Sequence, residues 1–200
     1  NAVSVASASN STNFTGSSLA IGANNSGGEP IYGYISNFRL VKGTGITPSL
    51  PTAPLTAVSN TQLLTCQSNR FIDNSSNAYA ITKNGDVSVQ AFSPFAPQYQ
   101  WTSSVIGGSG YFDGTGDYLS TNNVCSLSAN FTIECWVYPI SYSGSPCIVD
   151  NFVTGASYTV GQWQIEYGST GTIGFNVATS TSAVQTLATT AITPLNAWTH

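Results

Sequence analysis

The chain has no methionine, and only 6% of its 200 residues are charged. Its four basic residues, Arg39, Lys42, Arg70 and Lys83, are scattered along the sequence. Binding nucleic acid through phosphates takes several cations aligned on one surface, so this chain is not expected to bind it. No apolar run approaches the roughly 18 residues that a membrane-spanning helix takes, so no membrane partner is expected either. A Ser/His or Cys/His mechanism would have to rest on the single histidine, His200, and a strand histidine near a sheet edge is the plainer reading. The four cysteines, Cys66, Cys125, Cys135 and Cys147, form no C-x-x-C pair and have no histidine partners, which argues against zinc.

What is present is apolar and hydroxylated: 41% hydrophobic and 12% aromatic residues on a background of Ser, Thr, Asn, Gln and Gly. That balance suits a folded chain of strands with polar outer faces and tight turns. The length admits one large all-β domain or pieces of two. The N-terminal NAVSVASAS has neither a basic region nor an apolar one, and together with the missing methionine it reads as an internal segment of a longer chain.

Strand signals run through the sequence and no helix is expected. NFTIECWVYPI (130–140) alternates Phe131, Ile133, Cys135 and Val137 against Thr132, Glu134, Trp136 and Tyr138, and Pro139 is expected to end it. QWQIEYG (162–168) and TIGFNVAT (172–179), joined by turn residues, predict a hairpin. Further strands are expected at 18–23, 34–42, 62–66 and 110–120, with a hairpin over 79–90 whose tip is Asn84-Gly85. Pro48, Pro51 and Pro54 mark an extended connection. The expectation is an all-β, antiparallel two-sheet jelly-roll sandwich.

The segments FDGTGDYL, FTIECWVYP and AWTH, in that order, resemble the first half of a LamG-like (concanavalin A-like) jelly-roll domain. SLAIGA followed by GYISNFRLVKG resembles the second half, and the stretch LLTCQSNRFIDNSSNAYAITKNGDVSVQAFSPF is similar to the linking segment of tandem LamG-like repeats in marine bacteriophage (cyanophage) structural proteins. The resemblance therefore implies a chain out of phase with its own repeat: residues 1–48 as the C-terminal strands of one unit, 49–100 as a Pro-rich linker with a hairpin, and 101–200 as the N-terminal strands of the next. Half a sandwich leaves an apolar face bare, so the early strands are expected to close the late ones, within the chain or from a neighbouring copy.

The same resemblance implies a non-enzymatic structural and adhesion module of a phage virion appendage such as a tail fibre. It would be assembled in bacterial cytoplasm, where free buried thiols are expected rather than disulfides. Its partners would be copies of itself, neighbouring virion proteins and host-surface glycans. A carbohydrate-binding lectin domain of a bacterial surface or secreted protein is the alternative. A glycosidase is the third reading, disfavoured because only Glu134 and Glu166 lie on strands and the E-D-E strand pattern of glucanase relatives is missing. For sugar contact, Tyr142, Phe152, Tyr158 and Trp163 combine aromatic faces with a loop-rich stretch, although core packing is the plainer reading of Trp163. No cofactor is required. Calcium is the one candidate, through Asp113, Asp117 or Asp150, set against ordinary Asp-Gly turn chemistry. Sequons at Asn10, Asn13, Asn24, Asn74 and Asn130 are expected by chance in so Asn- and Ser-rich a chain.

Overall fold

A computed structural model describes residues 8–47, 49–95, 108–122, 127, 130–152 and 158–200. Those residues form twelve strands and no helix: β1 (Ser18–Ile21), β2 (Tyr32–Lys42), β3 (Thr61–Thr65), β4 (Thr82–Asn84), β5 (Ser88–Gln90), β6 (Ser109–Asp113), β7 (Tyr118–Asn122), β8 (Phe131–Ser141), β9 (Cys147–Asp150), β10 (Trp163–Tyr167), β11 (Ile173–Ala178) and β12 (Val184–Ala188). One sheet has seven strands in the order β12-β11-β10-β9-β1-β7-β4. In the other, β2 is central, flanked by β8 along one edge and by β3 and β6 along the other, with β5 beyond β6.

The expected alternation places the core. Ile35, Leu40, Phe112 and Val137 from the smaller sheet meet Leu19, Ile21, Leu119, Val149 and Trp163 from the larger one in a single buried cluster. The strands of residues 18–42 complete this sandwich within the chain: β1 lies between β7 and β9, and β2 pairs with β8 over almost its whole length. Hydrophobic burial at both faces, rather than strand pairing alone, is what selects this arrangement.

Three local expectations are corrected. The run 110–120 is two strands in different sheets, because the turn 114–116, with Gly114 and Gly116 at positive φ, carries the chain from β6 across to β7. The 79–90 segment keeps its Asn84-Gly85 turn, but its arms do not pair with each other: β4 joins β7 and β5 joins β6. It is a corner between sheets, not a hairpin. Finally, β8 runs through Pro139 to Ser141. The odd-numbered residues of β8 turn their peptide groups away from β2, as the bonds of Val137 to Thr199 and of Pro139 O to Asn196 N show. A missing N–H at Pro139 therefore removes no bond to β2.

Candidate functional site

The outward side chains of the seven-stranded sheet form a polar strip. Register places Asp150 beside Gln164, Gln164 beside Asn176, and Asn176 beside Thr186. Gln164 Nε2 and Asn176 Nδ2 donate to the Glu166 carboxylate at 2.6 and 2.7 Å, and Thr186 Oγ1 donates to Asn176 Oδ1 at 2.7 Å. Burial pushes the Glu166 carboxyl up against the opposing pull of these amides, and the charge of Glu29 adds to the upward push. Asp150 is fully buried; it accepts from the Asn25 and Phe152 backbone N–H groups at 2.9 Å each. Burial outweighs those bonds and raises its carboxyl to about 6, with Glu29 contributing.

Of the four aromatic residues expected at a sugar site, two meet. Phe152 and Tyr158 pack edge to face with ring centres 5.4 Å apart just beyond the end of β9, and Tyr158 is 41% exposed. Trp163 is fully buried against Phe175, so the core reading is the one its position fits and it offers no face to a ligand. Tyr142 lies toward the other end of β9, its ring against Tyr167 and its hydroxyl donating to the Thr193 carbonyl. It shares no rim with Phe152.

A larger aromatic group was not anticipated. On the outer face of the smaller sheet, Tyr34 stands beside Tyr111 and Tyr138 at 5.0 and 5.8 Å, and Phe92 and Trp198 pack over them at 4.9 to 6.3 Å. The signal was present, since Tyr34, Tyr111 and Tyr138 hold outward positions on their strands. Recognising it required knowing that β6 and β8 flank β2 on either side.

Elsewhere on that outer face, Arg39 Nε and Nη2 donate to Glu134 Oε1 at 2.8 and 2.6 Å, and Nη1 donates to the Thr56 carbonyl. His200 Nε2 lies 3.6 Å from Glu134 Oε2. Burial raises the Glu134 carboxyl, but His200 and Arg39 together outweigh it and hold the group below its ordinary value. The thiols are inert by the same physics: burial pushes Cys66 and Cys135 up to about 12 and Cys147 well up. These three are free, as expected; Cys125 lies outside the described residues.

Two of the three calcium candidates converge. Asp113 and Asp117, with Asp86, bring carboxylate oxygens within 4.8 Å of one another at the corner where β4, β5, β6 and β7 meet. Hard oxygen donors suit Ca²⁺. Asp117, however, already accepts from the Asp86 and Asp113 backbone N–H groups at 2.7 and 3.2 Å, which is turn chemistry, and burial raises its carboxyl. The exposed Asp86 and Asp113 would supply most of the coordination. Asp150 is not part of this group.

The fold is that of a concanavalin A-like jelly-roll sandwich, and comparison with known families agrees: residues 113–200 match the family model described as the Concanavalin A-like lectin/glucanases superfamily. No curated protein and no solved structure matches the chain.

Proposed function

We propose that the chain is a non-catalytic jelly-roll module that contacts neutral glycans, in the setting of a phage virion appendage. The observation that carries the non-catalytic reading is the position of the two strand glutamates. Glu134 faces outward from the smaller sheet and Glu166 outward from the larger one, so the sandwich core separates them. A glycosidase needs its two carboxyls about 5–10 Å apart across one bond. Each carboxylate is moreover held by neighbouring side chains. Contact with sugar rings falls to the half-buried Phe152 and the exposed Tyr158, where the backbone turn held by Asp150 and Asn25 supplies polar groups beside an aromatic face. The appendage setting rests on the order of the sequence motifs and on the linker similarity.

A glycan array probed with the wild type and with Tyr158→Ala tests the binding reading: neutral glycans bind the former and not the latter. Binding retained by the variant, or hydrolysis of an oligosaccharide by the wild type, overturns it. Mass spectrometry of purified virions tests the setting.

A further inference from the structure

The seven-stranded sheet ends at β12, and the outer edge of that strand is bare among the described residues. Exposed edges are normally guarded by a charge, a proline, a bulge, shortness or a covering segment. The ends at β3, β4 and β5 show such guards. β4 and β5 have three residues each, and β4 carries Lys83; β3 is covered by residues 73–77, where Asn74 N donates to Leu64 O and Asp73 accepts from Leu64 N. β12 has none of these: its five residues, VQTLA, contain no charge and no proline, and its register with β11 runs unbroken.

The backbone of this edge is set for pairing. Thr179 N donates to Ala183 O and Thr189 N donates to Ile173 O, so the odd-numbered residues of the stretch turn their peptide groups toward β11. Those of Val184, Thr186 and Ala188 therefore face the open edge, with no backbone partner among the described residues. Turned over by a two-fold axis through Thr186, the strand matches itself. Val184 falls opposite Ala188 of a second copy, Thr186 opposite Thr186, and Ala188 opposite Val184, and each pair is placed to exchange both N–H···O bonds. On the outer face this brings Thr186 against Thr186, a favourable cross-strand pair, and Val184 against a small residue. On the inner face Leu187 of one copy falls beside Gln185 of the other, next to a pocket of about 240 Å³ walled by Phe14, Phe175 and Val177.

Charge points to a like partner. Between Asp150 and His200 the only charged residue is Glu166, which stands on β10, two strands in from the edge. A different protein is ordinarily selected by complementary charge, and this edge offers none. A second copy brings an equally neutral edge, so two chains of net charge −4 meet here without like charges opposed.

We propose that β12 is a self-association edge whose occupant is β12 of a second copy of this chain, paired antiparallel about Thr186 into one continuous sheet. So short a contact falls well below the roughly 800 Å² per partner of a stable complex, so the pair is weak in solution and gains strength where copies are held close together. The inference goes beyond the glycan reading and does not depend on it, because pairing is read without any ligand.

The test is sedimentation and residue-resolved amide hydrogen exchange on the whole chain, from about 10 μM to about 1 mM. Mass should rise from one chain toward two, and the Val184, Thr186 and Ala188 amides should slow at least about fivefold while those of Gln185 and Leu187, already bonded to β11, stay unchanged. Thr186→Lys and Thr186→Glu each oppose like charges at the centre of the pair, so each alone should dimerise at least about fivefold more weakly, and an equal mixture of the two should recover the wild-type affinity to within about threefold. A mass of one chain at every concentration, slow exchange of the even-numbered amides in the dilute protein, or dimerisation that both variants retain overturns the proposal. A mixture no stronger than either variant overturns it as well. Should a variant fail to fold, the wild-type concentration series decides alone.

Discussion

Asp150 illustrates how one buried carboxyl couples this fold to pH. Its value of about 6 in the folded chain lies above the roughly 3.9 of an unfolded aspartate. The folded state therefore holds the proton more tightly. The associated stability is fully present below about pH 4 and lost as pH rises through 6, an amount on the order of 3 kcal/mol. Glu134 acts in the opposite sense: its carboxyl is held low, so its contribution is present at neutral pH and lost on acidification. Urea unfolding followed from pH 4 to 8 should accordingly show stability falling between about pH 4.5 and 6 and levelling off above that, and Asp150→Asn should flatten that fall whatever its effect on absolute stability. Arg39→Ala should cost about 3 kcal/mol, because it strands the Glu134 carboxylate in a nearly closed site. The same measurement at pH 7 checks it, and a loss below about 0.5 kcal/mol would mean that the pair is solvated like a surface one.

The corner that joins the two sheets is the element whose chemistry depends most on context. Gly85 sits there at φ 72°, and a Cβ on it would overlap the Asp117 carboxylate, so Gly85→Ala should destabilise the fold by about 1–2 kcal/mol or more. Three acidic groups also gather at this corner, with no ion pair to any of them among the described residues. If Ca²⁺ is what balances them, millimolar calcium raises Tm by several degrees and Asp113→Asn removes most of the gain; an unchanged Tm leaves turn chemistry as the whole explanation. Asn84-Gly85 was legible as a turn because its residue types state a local preference. That its two arms go to different sheets was not, since strand partners are chosen by non-local burial. For the same reason the alternation in 130–138 was readable, whereas β9, buried at all four residues, and β12, exposed at all but one, carry no alternation to stand out. Trp163 shows the limit at the site. Aromatic residues near loops look alike in sequence, and only the register β9-β10-β11 turns this one inward while Tyr158 stays exposed.

At the scale of the whole molecule, the scarcity of charge becomes a binding property. Twelve charged side chains in 200 residues, with net charge −4, give a weak and slightly negative field around the sandwich. One of the four basic residues, Arg39, is already committed to Glu134, and neither Phe152 nor Tyr158 has a basic neighbour in the sequence. An anionic sugar brought to that rim would lose hydration with nothing to replace it. Stacking of a neutral ring on an aromatic face depends little on ionic strength, whereas an ion-paired ligand weakens as salt screens it. Affinity for neutral glycans should therefore stay within about twofold between 0.05 and 0.5 M NaCl, and sulfated or phosphorylated versions of the same glycans should bind at least about tenfold more weakly at the lower salt. Isothermal titration at the two salt concentrations reads both numbers. A steep loss of affinity with salt, or a preference for the sulfated ligand, would show that recognition lies away from this rim, at one of the scattered basic residues.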